Sequence, residues 1–172
     1  MKKLINILKI IFKSKFIFRN PKKYDLIVFD KESYPHFKNC LLKYDYFLIP
    51  GRIEHLDTIY ISYEIFKYII INFTKRNIFS SYLISLIQVT EAKAVLTIID
   101  NSFKFSEIAK VLDKQTKFIA VQNASRHDFL EFYELYKENK IKHNLLEKIY
   151  IPYFYCFGNY EKDLYKKFNI NV

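Results

Sequence analysis

Ala94-Val-Leu-Thr-Ile-Ile99 runs straight into Asp100-Asn101, and that junction sets the reading of the whole chain. The run is short and rich in β-branched residues, and a helical pattern follows it from about Ser106 to Leu112. Two further runs repeat the arrangement: Lys117-Phe-Ile-Ala-Val121 ends in Gln122-Asn123, and Tyr153-Phe-Tyr-Cys-Phe157 ends in Gly158-Asn159. Short apolar runs without polar alternation, each followed by a helix, are the mark of parallel strands covered on both faces. In such sheets ligands bind outside the carboxyl ends of the strands. The polar residues that close the three runs therefore mark a candidate site.

Working outward, Tyr24-Asp-Leu-Ile-Val-Phe-Asp30 reads as the first strand and Tyr46-Phe-Leu-Ile-Pro50 as the second, which turns at Pro50-Gly51. A short third strand is expected over Asp57 to Ile61. Tyr63 to Phe73 reads as a strongly apolar, well-covered helix, and a second helix runs to Gln88 from a cap at Ser80 or Ser81. Beyond the 117–121 strand, Asp128 to about Lys140 reads as a long polar helix with Glu131, Glu134 and Glu138 on its wet side. A strand near Ile149 precedes the 153–157 run, and Tyr160 to Phe168 closes as a helix. Strands alternating with helices over short links predict an α/β fold, a Rossmann-like and mainly parallel sheet with helices on both faces, in one domain over 21–172.

Residues 1–20 are read separately. As a helix they put Leu4, Leu8, Ile11 and Phe12 on one side and Lys2, Lys9 and Lys13 largely elsewhere. The basic residues interrupt the apolar stretch and no small-residue cleavage site follows, so neither a secretory signal nor a bilayer span is expected. A basic amphipathic helix suits an anionic membrane surface, and it equally suits docking on its own domain.

Composition narrows the function classes. Hydrophobic residues make up 51% of the 172, which excludes a disordered chain. The 28 basic against 18 acidic residues give a net charge of +10, which favours anionic partners. Cys40 and Cys156 lie far apart in apolar contexts, so they read as small buried hydrophobes in a reducing cytoplasm rather than as a disulfide. With Gly51 and Gly158 as the only glycines, neither a Walker loop nor a dinucleotide-binding glycine fingerprint is possible. His36, His55, His127 and His143 have no metal-ligand spacing, so no metal and no bound cofactor is expected. No recognition helix or aromatic RNA-binding signature is present, and nucleic acid is not an expected partner.

The strand-end residues remain. Asp100 and Asn101 suit a ligand hydroxyl, or Asp100 caps the next helix. Gln122 and Asn123 offer amides to sugar hydroxyls, Arg126 suits a phosphate or carboxylate, and His127 suits proton transfer. The plainer reading of that segment is a loop in which Ser125 or Asp128 caps the following helix. Gly158 opens a helix whose free N–H groups suit an anion, while Glu161 serves the helix dipole. Asp30 is a further candidate, or simply a turn former after the first strand.

Thr97-Ile-Ile-Asp-Asn-Ser-Phe-Lys-Phe105, Phe118-Ile-Ala-Val-Gln-Asn-Ala-Ser-Arg126 and Tyr153-Phe-Tyr-Cys-Phe-Gly-Asn-Tyr-Glu-Lys-Asp-Leu-Tyr165 resemble blocks of bacterial surface carbohydrate biosynthesis proteins. These are glycosyltransferases of lipopolysaccharide or O-antigen assembly, themselves similar to the CDP-glycerol glycerophosphotransferases. The resemblance, from about Tyr24 onward, implies one Rossmann-like half of a GT-B architecture, the amino-terminal, acceptor-side half, with the second half absent from this chain. It implies transfer of sugar from a nucleotide-sugar co-substrate to a glycan or lipid-linked acceptor at the cytoplasmic face of the inner membrane, with a separately encoded second half as a partner. Asp100, Asn101, Gln122, Asn123, Arg126 and Gly158 would then contact substrate, and His127 would act as a base. A non-catalytic binding module and a CDP-glycerol-type phosphotransferase half are the alternatives.

Overall fold

The computed structural model describes residues 13–73, 76–99, 102–123 and 150–167. The long polar helix expected over 128–140 and the strand near Ile149 lie outside these residues, as does most of the amino-terminal helix. The chain divides into two compact units between Val95 and Leu96.

The larger sheet has strands β2 (Leu26–Phe29), β3 (Tyr46–Ile49), β5 (Ala94–Thr97), β6 (Lys117–Val121) and β7 (Tyr153–Tyr155), in the order β3-β2-β5-β6-β7. β2 and β3 pair in parallel from Leu26 opposite Tyr46 to Phe29 opposite Ile49, and β6 and β7 pair in parallel from Ile119 opposite Tyr153 to Val121 opposite Tyr155. Within the sheet the order is second-first-third-fourth-fifth, a doubly wound order that reverses direction at β2. The fold is thus α/β and Rossmann-like, with a mainly parallel sheet flanked by helices.

In the first unit, β1 (Lys15–Ile17) and β4 (Thr58–Tyr60) form a separate parallel ribbon. The helix expected over 1–20 therefore does not reach Lys15–Ile17; Phe16, Ile17 and Phe18 alternate poorly for a helix but suit an extended edge. α1 (Tyr34–Phe37) is a single turn between β2 and β3. α2 (Tyr63–Phe73) packs along α3 (Ile78–Thr90), and α3 is almost wholly buried. Its hydroxyls survive burial by bonding back to their own helix: Ser85 Oγ donates to the Ser81 carbonyl at 2.7 Å and Thr90 Oγ1 to that of Leu86 at 2.8 Å. Leu83, Ile84, Leu86 and Ile87 of this helix are buried, as are Ile27, Val28, Phe29 and Ile49 of the strands.

Three expectations need correction here. The cap of α3 is Asn77, whose Oδ1 accepts from the Ser80 N–H at 2.9 Å; Ser80 and Ser81 are buried inside the first turn instead. α2 is not well covered: Ile65 is its one buried apolar side chain, while Tyr63 is 82% and Phe66 62% exposed. Cys40 is exposed rather than buried, in the surface turn after α1.

In the second unit, α4 (Phe103–Leu112) is amphipathic, burying Phe105, Ile108, Ala109 and Leu112. Ser102 caps it, accepting from the Phe105 N–H at 3.2 Å. Phe105 meets Phe118 of β6 edge-on at 5.4 Å between ring centroids. β7 ends the sheet, and its Tyr153 and Tyr155 are exposed accordingly. α5 (Asn159–Lys167) follows.

Candidate functional site

Asp30 stands at the carboxyl end of β2, where the apolar run Leu-Ile-Val-Phe stops. Its N–H still donates to the Ile49 carbonyl at 2.8 Å, so the ladder to β3 continues one residue past the strand. There the backbone breaks sharply, with φ 68° and ψ 124°. An L-residue in that region is strained by about 1–3 kcal/mol, and such strain gathers at functional positions. The break turns the chain into a 3-10 turn, Lys31–Ser33, and leaves the Asp30 side chain only 3% exposed. Oδ1 accepts a long bond from the Glu32 N–H at 3.4 Å, and among the described residues no donor or cation is recorded for Oδ2.

β3 contributes the facing wall. Ile49 leads into Pro50-Gly51 and then a second 3-10 turn, Ile53–His55. Gly51 is required by close approach: a Cβ there would stand 2.7 Å from Asp30 Oδ2 and 3.2 Å from Phe29 Cε1. The first 3-10 turn is tied to the segment just after the second by the ion pair of Lys31 with Asp57, which holds the Asp57 carboxyl below its usual range. Asp30, Glu32 and His55 each present a ligand atom within 4.8 Å of the others, from a buried, an exposed and a half-buried side chain. A cleft of about 80 Å³ follows β3, lined in part by Ile49, Pro50, Leu56 and Asp57. All of this belongs to the first unit.

A larger cleft of about 310 Å³ at the other end of β2 is lined by Arg19, Lys22, Tyr24 and Tyr60 among others. Its Lys22 lies over the Tyr24 ring and pairs with Asp45 at 3.1 Å, so that cation is already engaged.

The residues singled out from the sequence divide differently. Asp100, Asn101, Arg126 and His127 lie outside the described residues. Gln122 and Gly158 are brought close in the second unit: Gln122 Oε1 accepts from the Phe157 N–H at 3.0 Å, and the Gln122 N–H donates to the Tyr155 carbonyl at 2.9 Å. With its side chain 3% exposed, Gln122 ties the end of β6 to the end of β7. Asn123, next along, is exposed. Gly158 opens α5, its carbonyl accepting from the Lys162 N–H at 3.1 Å, and a Cβ there would meet Glu161 Oε2 at an ordinary 3.9 Å.

Sequence reasoning gave Asp30 no more than an even reading, and it missed Glu32, Gly51 and His55. One signal was present, an apolar strand closing on a carboxylate as at Asp100. His55 had none, because its partners lie 23 and 25 residues upstream on another loop. The class defined here is a doubly wound α/β domain with a carboxylate and imidazole cluster at the strand where the order reverses. Compared with known proteins, the chain matches no family model, no curated protein and no solved structure.

Proposed function

We propose that this chain is the acceptor-side domain of a glycosyltransferase-like protein of surface polysaccharide or lipopolysaccharide assembly. It binds the hydroxyls of a glycan or lipid-linked acceptor, and with a second half that holds a nucleotide-sugar donor it takes part in sugar transfer. The observation that carries this reading is Asp30: a buried carboxylate, one oxygen uncommitted among the described residues, on a strained backbone at the carboxyl end of β2. A sugar hydroxyl donates to such an oxygen, and a fixed carboxylate orients it without losing side-chain entropy. His55 offers a second polar group from the facing turn. The block resemblances supply the chemical class, and the net charge of +10 suits phosphorylated acceptors and anionic lipid at the inner face of the membrane. Among the described residues no helix is long and apolar enough to cross a membrane.

The test is binding of an acceptor panel (lipid-linked oligosaccharides, undecaprenyl phosphate sugars and free O-antigen fragments) by the whole chain, followed by NMR and calorimetry. Saturable binding that weakens roughly tenfold or more in Asp30→Asn, with an unchanged circular dichroism spectrum, is the expected result. Binding of acceptors that is indifferent to Asp30, or absent across the panel, overturns it.

A further inference from the structure

We infer that Asp30, Glu32 and His55 form a binding site for a first-row divalent cation of the zinc or manganese class. Two carboxylates and one imidazole are a common donor set for such ions, and together they carry the charge that a dication neutralises. Their ligand atoms lie within 4.8 Å of one another. Donors on opposite sides of a cation at 2.0–2.2 Å stand about 4 Å apart, so small rotations of Glu32 and His55 close the set. Asp30 adds a second observation: the residue is 97% buried, and no partner is recorded for Oδ2 among the described residues. That oxygen is available to a ligand. The cation nearest in sequence, Lys31, is committed to Asp57.

The burial gradient gives the site a floor and a mouth. Asp30 forms the closed side, His55 the half-buried wall and Glu32 the exposed lip through which an ion enters. Three protein ligands leave coordination positions open, which a water or a ligand hydroxyl fills. Histidine spacing along the sequence could not have found this set, because the ligands come from two turns after two adjacent parallel strands. The site uses the same strand end as the proposed acceptor site, but the cation proposal stands without the transferase reading.

The experiment titrates the chelator-stripped chain with ZnCl₂ and with MnCl₂ by calorimetry, adding the Mn²⁺ paramagnetic resonance signal as a second readout. About one ion per chain is expected, with affinity reduced roughly tenfold or more in Glu32→Gln and in His55→Ala. Glu54→Gln, an exposed carboxylate on the same turn as His55, retains it. No saturable binding below millimolar metal overturns the proposal, as does binding that survives in the Glu32→Gln and His55→Ala double variant. Repeating the acceptor titration with and without metal separates the two readings. Metal binding without acceptor binding leaves the cation site and removes the transferase reading. Acceptor binding without metal binding does the reverse.

Discussion

At Asp30 the physical chemistry sets backbone strain against side-chain function. Glycine reaches φ 68° at little steric cost, and the long Oδ1 contact at 3.4 Å loses little when removed. Asp30→Gly is therefore expected to leave stability unchanged or raise it by up to about 1 kcal/mol in urea denaturation, while ligand and metal binding disappear. A residue kept for folding would give the opposite result. Gly51 supplies the complementary test. Gly51→Ala places a methyl group 2.7 Å from Oδ2 and is expected to cost about 1–3 kcal/mol. In the Asp30→Gly background that cost falls, because the nearer clash is gone and only Phe29 Cε1 at 3.2 Å remains. Additive costs in that double-mutant cycle contradict the contact. Little of this was legible in the sequence. Phe29-Asp30 announced a strand end, but a positive φ at a non-glycine residue and the approach of a turn 21 positions away are set by tertiary packing.

Among the elements, those whose apolar pattern matched their period were the ones legible in advance. Lys117–Val121 and Tyr63–Phe73 have the bounds the residues suggested, and β2, β3 and β5 differ only in their terminal residues. The environments of elements were harder to read, because periodicity reports an apolar face without saying what covers it. α2 shows this: its residues are apolar all round, yet Phe66, Ile70 and Phe73 are exposed, since one side of it packs on α3. Caps were misread for a related reason. Serines inside α3 bond to their own helix and leave the capping to Asn77, one turn earlier. Asn77→Ala is expected to cost about 1 kcal/mol. At the other end Glu91 caps α3 with φ 52°, a position that favours glycine. Glu91→Gly is expected to stabilise by about 0.5 kcal/mol, because its exposed pair with Lys23 at 2.8 Å contributes little. Thermal unfolding of the two single variants checks both signs, and a destabilised Glu91→Gly contradicts the left-handed cap.

For the whole molecule, titration makes the pH dependence of stability lopsided. On the acid side, Asp25 and Asp57 have pKa values lowered by hydrogen bonds from Lys93 and Lys31. Their contribution is present above the ordinary aspartate range and lost as pH falls through the lowered folded values. Both pairs face solvent, so screening keeps this limb shallow. On the alkaline side, Tyr82 is held in the first unit by burial that pushes its phenol up to about 12, although its oxygen accepts the Tyr60 N–H at 2.8 Å. Tyr24 is raised by burial, and in the second unit Tyr150 is raised by its hydrogen bond to Asp113. A phenol whose folded pKa exceeds its unfolded value stabilises fully below about pH 10, and that stability is lost as pH rises through the folded value. For Tyr82 alone the gap corresponds to about 2–3 kcal/mol, lost between about pH 10 and 12. Urea denaturation at stepped pH is expected to give a steep alkaline limb beside the shallow acid one. Tyr82→Phe flattens that limb, but at neutral pH it costs about 1–3 kcal/mol, because the Tyr60 N–H loses its acceptor. An alkaline limb as steep in Tyr82→Phe as in the parent chain contradicts the assignment and places the titrating groups elsewhere.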